Sequence, residues 1–311
     1  QHGADLEAFS KIVDMRVRGK MDRVAGDRRN EVISAFRQQT AGGDPSWRPN
    51  TGQVQAAVKA ANAVLEQGPE AFAEAEEGEL LDGAVAAGVS SFEDLVGGYG
   101  GFTALVHAVR EGHLESAQAL LDAGANINAV TKGDSSSPLL MAMINGHFDL
   151  GLFLVSQGAD VNLASVAGTT PLYAVLNVHW APKARYPQPG AQKQQNSDYL
   201  ETMETLLKEG ANPNVRLKKH IWYMGYTFDQ LRVNTTGATP FWRAAYGTDV
   251  SAMKLLVSYG AESGLATMKV PGRRRGPVRE DLSGLAPLAD GDPAVYPIHG
   301  LHQKPYEQLS W

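Results

Sequence analysis

Leu120-Leu121-Asp122-Ala123-Gly124-Ala125-Asn126-Ile127-Asn128 sets a short apolar segment against a glycine and a polar turn, and the chain writes it again and again. It returns as Leu154-Val155-Ser156-Gln157-Gly158-Ala159-Asp160-Val161-Asn162 and as Leu206-Leu207-Lys208-Glu209-Gly210-Ala211-Asn212-Pro213-Asn214. A last copy is Leu256-Val257-Ser258-Tyr259-Gly260-Ala261-Glu262. A second pattern precedes each copy: Thr103-Ala104-Leu105, Ser137-Pro138-Leu139, Thr170-Pro171-Leu172 and Thr239-Pro240-Phe241. Gly124 to Gly158 is 34 residues and Pro138 to Pro171 is 33. A fixed period of this size is the mark of a solenoid.

Each part of the pattern has a physical task. The hydroxyl of Thr or Ser caps the first amides of a helix, and Pro fits the first turn, where its missing N–H is not needed. Gly112-His113 and Gly146-His147 break the chain between two short helices. Leu114, Ala117, Leu120 and Leu121 then fall on one stripe of a second helix. Gly124, Gly158, Gly210 and Gly260 stand where that helix ends in a left-handed turn, which costs a residue with a Cβ roughly 1–2 kcal/mol.

The whole pattern resembles the ankyrin repeat, and the resemblance covers residues 99–263 in four copies. It implies an all-α solenoid of helix–turn–helix repeats joined by hairpin loops, with a concave face of hairpin tips and first helices that binds protein partners. The sequence departs from the family in three ways. Val106, Leu140, Tyr173 and Trp242 replace the usual His after Thr-Pro-Leu. His179-Trp180 and Thr248-Asp249 replace Gly-His. The spacing stretches to 52 residues from Gly158 to Gly210 and to 50 from Gly210 to Gly260. At the ends, His2-Gly3-Ala4-Asp5-Leu6-Glu7 (within 1–14) reads as the tail of a partial repeat, and Tyr296-Pro297-Ile298-His299 as the start of another. A repeat cannot bury its apolar face alone. The expectation is therefore an internal slice of a longer protein, or a chain completed by another one. The insertions also resemble those of long, exported bacterial ankyrin-repeat proteins, which implies a periplasmic or secreted setting.

The insertions are where solenoids carry function. Residues 15–98 read as a helical and irregular insertion, with a short helix around Val32 to Phe36 and an Ala-rich helix from Val54 to Leu65. Between residues 60 and 109 nine acids stand with no Lys or Arg. This reads as a solvated face, or else a patch for a basic partner or a cation. Gly97-Gly98-Tyr99-Gly100-Gly101 reads as a flexible entry to the first repeat. Residues 178–198 form a polar, Pro-rich excursion expected at the end of the stack opposite the hairpins. Residues 264–311 are a Pro/Gly-rich extension holding Arg273-Arg274-Arg275, which reads as a solvated tip.

The 216–236 insertion mixes Arg216, Lys218, Lys219, His220 and Arg232 with Trp222, Tyr223, Tyr226 and Phe228. Rings and cations together either anchor a partner or hold a long loop against the stack. The candidate partner-binding residues are Lys218, Lys219, Trp222, Tyr223, Tyr226 and Arg243, with Arg243 expected to face the groove and Trp242 to pack.

Composition removes other classes. The 311 residues include no Cys, which excludes disulfides, thiolate nucleophiles and Cys-type metal sites. A net charge of -6 argues against a dedicated nucleic-acid binder. No window approaches the roughly 20 apolar residues of a membrane span. Hydrolase, phosphate-loop and calcium-loop motifs are missing, and the histidines have no metal-ligand spacing. His113 and His147 occupy the inter-helix position and read as structural. The expected function is a non-catalytic scaffold without cofactor or metal. Two alternatives stand beside it: end-to-end self-assembly through the incomplete terminal repeats, and a small-ligand or glycan site walled by the aromatic insertion.

Overall fold

A computed structural model describes residues 3–73, 93, 96–180, 190–221 and 235–267 of the chain. The residues beyond these include most of the acidic stretch, Trp222, Tyr223 and Tyr226, and the 268–311 extension with its basic triplet and Tyr296–His299.

Eight short helices form the stack. They are α4 (Ala104–Arg110) with α5 (Leu114–Asp122), α6 (Pro138–Asn145) with α7 (Phe148–Ser156), α8 (Pro171–His179) with α9 (Tyr199–Lys208), and α10 (Pro240–Tyr246) with α11 (Val250–Ser258). The hydroxyls of Thr103, Ser137, Thr170 and Thr239 accept the N–H three residues on, at 3.3, 3.1, 3.4 and 3.1 Å. The inner helices α4, α6, α8 and α10 pack in succession, and the outer helices α7, α9 and α11 do likewise. Leu105, Leu140, Leu154, Leu172, Leu176 and Leu206 are fully buried between them. Each such leucine stabilises the stack by about 1.5–3 kcal/mol relative to exposure.

Between repeats runs a ladder of side-chain rungs. The Asn closing one repeat accepts the backbone N–H of the turn in the next: Asn128 from Asp160 at 2.9 Å, Asn162 from Asn212 at 2.8 Å, and Asn214 from Glu262 at 2.8 Å. Glu7 supplies the first rung, its Oε1 accepting the Asn126 N–H at 2.8 Å. The Asp5 carboxylate turns the chain back on the Glu7 amide, as Asn126 does for Asn128. Residues 3–7 therefore hold the turn of a repeat and stack in register on a segment 119 residues away. At the far end Gly264 stands where the Asn would be, and the ladder stops.

The hairpins project from the same side and pair with one another. Strand β1 (Ile12–Asp14) runs antiparallel to β2 (Gly98–Gly100), with Val13 opposite Tyr99. Gly133 and Lys132 donate to Gly100 and Gly101, Val166 donates to Asp134, and Lys218 donates to Ala167. Gly101, Gly168 and Gly237 turn these hairpins at φ of 63°, 78° and 80°, and Ser135 takes the same turn at 60°. A side chain at Gly101 would stand 2.5 Å from Lys132 Cβ, so this turn needs glycine for space as well as for conformation. The glycine-rich segment expected to be a flexible entry is thus a strand. Its bare backbone lets neighbouring chains close on both sides.

Residues 15–97 leave the array at Asp14 and return at Gly98. The segment begins with α1 (Met15–Ala41), capped by the Asp14 carboxylate on the Arg16 and Val17 amides and closed by Gly42 at φ 57°. The short helix expected around 32–36 is one part of these 27 residues. Charged residues dilute its apolar period, while Arg, Met, Ala and Gln still favour helix. Against it packs α2 (Thr51–Leu65), opened by an Asn50/Gln53 capping box, and α3 (Glu70–Ala73) follows.

The polar excursion lies between α8 and α9. It returns through a 3-10 turn (Ala191–Gln194) and is clamped by Asp149, which accepts from the amides of Asn196 and Ser197 and from the Asn196 side chain. Partial burial alone would raise the Asp149 pKa, but these bonds outweigh it and hold the carboxyl below its ordinary value.

Candidate partner-binding surface

The inner helices decide where a partner can touch the stack. Helix α4 leaves Ala104, His107 and Arg110 exposed. Helix α6 offers only half-buried Ile144 and Asn145, and α8 only its last residue, His179. Helix α10 is buried along all seven residues. Three of the four inner helices therefore present almost no free surface.

Arg243 is the consequence that matters for the sequence reading. Expected to face the groove, it is 1% exposed. Its Nε donates to Asn177 Oδ1 at 2.7 Å, and its guanidinium also donates to the Trp180 carbonyl. It locks the third repeat to the fourth and touches no solvent-facing surface. Trp242 packs as expected, fully buried and stacked on Tyr246 at 5.1 Å between ring centroids.

Beside Arg243, the replacements for Gly-His build a polar seam. Asp249 caps α11 through the Ala252 amide and accepts from Trp180 Nε1 and the Tyr199 hydroxyl, both at 2.8 Å. The His179 ring lies flat on Tyr199 at 3.5 Å. Burial, then the hydrogen bond to Asp249 and its charge, push the Tyr199 pKa up. His179 is pushed down, first by burial and then by the Arg243 charge, against the opposing pull of Asp249. Arg243, Asn177, Trp180, Asp249 and Tyr199 form a joint between repeats. Among the described residues no group of three or more His, Asp or Glu side chains could hold a metal ion.

Free surface lies at the hairpin tips. Tyr99 is 46% and Val166 55% exposed, one in strand β2 and the other on a hairpin turn where polar residues are the rule. Between these tips and the root of α1 opens a cleft lined by Asp14, Arg16, Gly98, Asp134, Val166 and Lys219, among others. Asp134 is occupied within its own hairpin, bonding the Thr131 and Ser136 hydroxyls. Lys218 is exposed beside the cleft and Lys219 is half-buried in its wall. Of the six residues singled out from the sequence, the structure brings Lys218 and Lys219 to this surface and puts Arg243 inside. The remaining three lie outside the described residues. Tyr99, Val166 and Arg16 were missed. A lone aromatic among glycines and a lone Val at a turn tip were their only signals.

The insertion that holds Lys218 and Lys219 is rooted at both ends. Leu217 pairs with Ala238, Ile221 is 4% exposed, and His220 Nδ1 meets Thr235 Oγ1 at 2.8 Å. Arg216 donates to the Ala266 carbonyl at the same root. The root is thus a fixed platform that leaves Lys218 exposed and sets Lys219 in the cleft wall.

A family model of ankyrin repeats in three copies matches residues 105–178. A B-cell lymphoma 3 protein homolog of Mus musculus is 38% identical over 96 residues, 30% of this chain and 20% of that protein. A probable E3 ubiquitin-protein ligase of Oryza sativa subsp. japonica, XBOS33, is 38% identical over 78 residues, 24% of this chain and 15% of its own length. The E3 ubiquitin-protein ligase XBAT32 of Arabidopsis thaliana is 38% identical over 86 residues, 26% of this chain and 17% of its own length. The chain spans a fifth or less of the curated relatives it matches. Among the described residues no helix is long and apolar enough to cross a membrane. The repeat itself is a non-catalytic protein-interaction module. Period, capping hydroxyls, asparagine ladder and family match agree: the chain carries an ankyrin-repeat solenoid.

Proposed function

We propose that this protein is a non-catalytic scaffold that binds a protein partner at its hairpin tips, around the cleft between α1 and the tips of the first three hairpins. The observation that carries the reading is the contrast between inner helices buried in repeats two to four and tips that expose Tyr99 and Val166 beside Lys218 and Lys219. Apolar side chains there supply area to bury, and the lysines orient an acidic edge of the partner. Trp222, Tyr223 and Tyr226 belong to the same insertion and extend the surface in this reading.

The test is a binder selected against the purified chain, followed by affinity measurements on variants. A Tyr99→Ala and Val166→Asp pair is expected to weaken binding at least about tenfold, as loss of central contacts does. Val257→Asp, on the outer helix α11, is expected to leave affinity unchanged. If the α11 variant weakens binding as much as the tip variants do, the hairpin-tip assignment fails.

A further inference from the structure

We infer that α1 is a basic docking arm that extends the hairpin-tip surface and takes an acidic, leucine-bearing segment of a protein partner. The inference rests on the hairpin-tip reading and adds to it the partner's chemistry and a second half of its footprint.

Charge is unevenly distributed in this chain. Helix α1 holds seven Lys and Arg against three Asp and Glu, a net +4 in a protein of net -6. Arg16, Lys20 and Arg23 follow at i, i+4 and i+7, which places them on one stripe of the helix. Arg16 also lines the cleft with Lys219, so the stripe starts at the hairpin tips. It runs along the arm for about 10 Å at about 1.5 Å per residue. The root is fixed: the Met15 N–H donates to Gly97 O at 2.8 Å, and Asp14 caps the first turn. Ion pairs on the arm include Arg18–Asp22 and Arg28–Glu31, exposed on both sides, and Arg23–Glu93, whose Arg is 68% and whose Glu is 28% exposed. The pairs open to water on both sides are weak and exchange readily for a partner's carboxylates.

Packing points the same way. Helices α1 and α2 bury only Met21, Ala25 and Ala57 in full, and leave Val24, Val54 and Val58 at 40–43% exposure. Val24, four residues on from Lys20, therefore sets apolar area beside the basic stripe, which suits a segment that carries leucines among glutamates. Nucleic acid suits it less, because a phosphate backbone buries nothing apolar against the exposed Val24.

The probe is a fluorescein-labelled peptide of glutamates spaced by leucines, titrated with the full chain by fluorescence anisotropy at about 50 and about 300 mM salt. Two comparison ligands are its Glu-to-Gln version and an oligo-dT of equal charge. Binding of the acidic peptide is expected, lost at high salt and absent with the Gln version. The Lys20→Glu/Arg23→Glu chain and the Lys219→Glu chain are each expected to bind about tenfold more weakly. Should the double reversal unfold the arm by circular dichroism, the Lys20→Gln/Arg23→Gln chain carries the test, with a smaller loss expected. Weakening by Lys219→Glu alone overturns the arm and leaves the hairpin-tip reading standing. Indifference to all the variants overturns both. Tighter binding of oligo-dT than of the peptide overturns the assignment to an acidic protein.

Discussion

Arg243 and Asn177 are 66 residues apart in sequence and 2.7 Å apart in space, and both are buried. A buried guanidinium is costly to dehydrate, and only its fixed acceptors offset that cost. Arg243→Ala is expected to leave a cavity and strip the partner from Asn177 Oδ1, costing about 3 kcal/mol. Arg243→Met fills the space and leaves one fewer buried charge, so it is expected to cost less than half as much. Urea midpoints compare the two, and a loss equal for both would mean that the cavity carries none of the cost. Next to it, His179 gives a pH signature. Its folded pKa lies below the ordinary 6.5, so the unfolded chain binds the proton more readily. Stability from this residue is level above pH 6.5 and falls as the pH drops through 6.5 towards the depressed folded value. The ring keeps an exposed edge, so the fall is shallow. His179→Phe retains the stack on Tyr199 and is expected to flatten the stability curve on the acid side of pH 6.5. A slope unchanged in that variant would assign it to another group.

At the scale of elements the asparagine ladder is the most regular feature. Asn162 accepts from the Asn212 N–H and donates to the Gly210 carbonyl, joining two repeats by two bonds. Asn162→Ala is expected to destabilise by about 0.5–1.5 kcal/mol, the net range for a hydrogen bond, since both bonds are open to water. Hydrogen exchange should show the Asn212 amide losing protection well before amides of the buried core of α8. What sequence reading could reach follows from locality. Capping hydroxyls and helix-ending glycines each depend on a few adjacent residues, and both were readable. The asparagines sat in the quoted motif, but their rungs reach into the next repeat, and Glu7 makes the same rung across the whole first insertion. Strand β2 was misread because glycines signal freedom locally, whereas here they permit close approach of Lys11 and Gly133. Arg243 was misplaced for a related reason. Helical phase can say which face a residue takes, but not that the preceding repeat will cover that face with Asn177 and Trp180.

For the molecule as a whole, the first insertion behaves as a loop grafted onto a hairpin whose ends already meet. Asp14 faces Gly98 across the β1–β2 pair, and the flanking bonds from Ser10 to Phe102 and from Gly101 to Lys11 do not involve residues 15–97. The first rung, from Asn126 to Glu7, is likewise independent of the insertion. Closing a shorter loop costs less chain entropy than closing the long one, by roughly 0.6 kcal/mol per halving of length. Replacing residues 15–97 by Asn-Gly, the favoured two-residue hairpin turn, should therefore leave the stack folded. The expected result is a cooperative urea transition for α4–α11 with stability no lower than that of the full chain, since the rungs and the core remain and the loop is shorter. The same deletion removes Arg16, Lys20 and Arg23 together with one wall of the cleft, so binding at the hairpin tips should fall while the fold persists. A shortened chain that fails to fold would show that the insertion supports the stack, and the grafted-loop description would have to be abandoned.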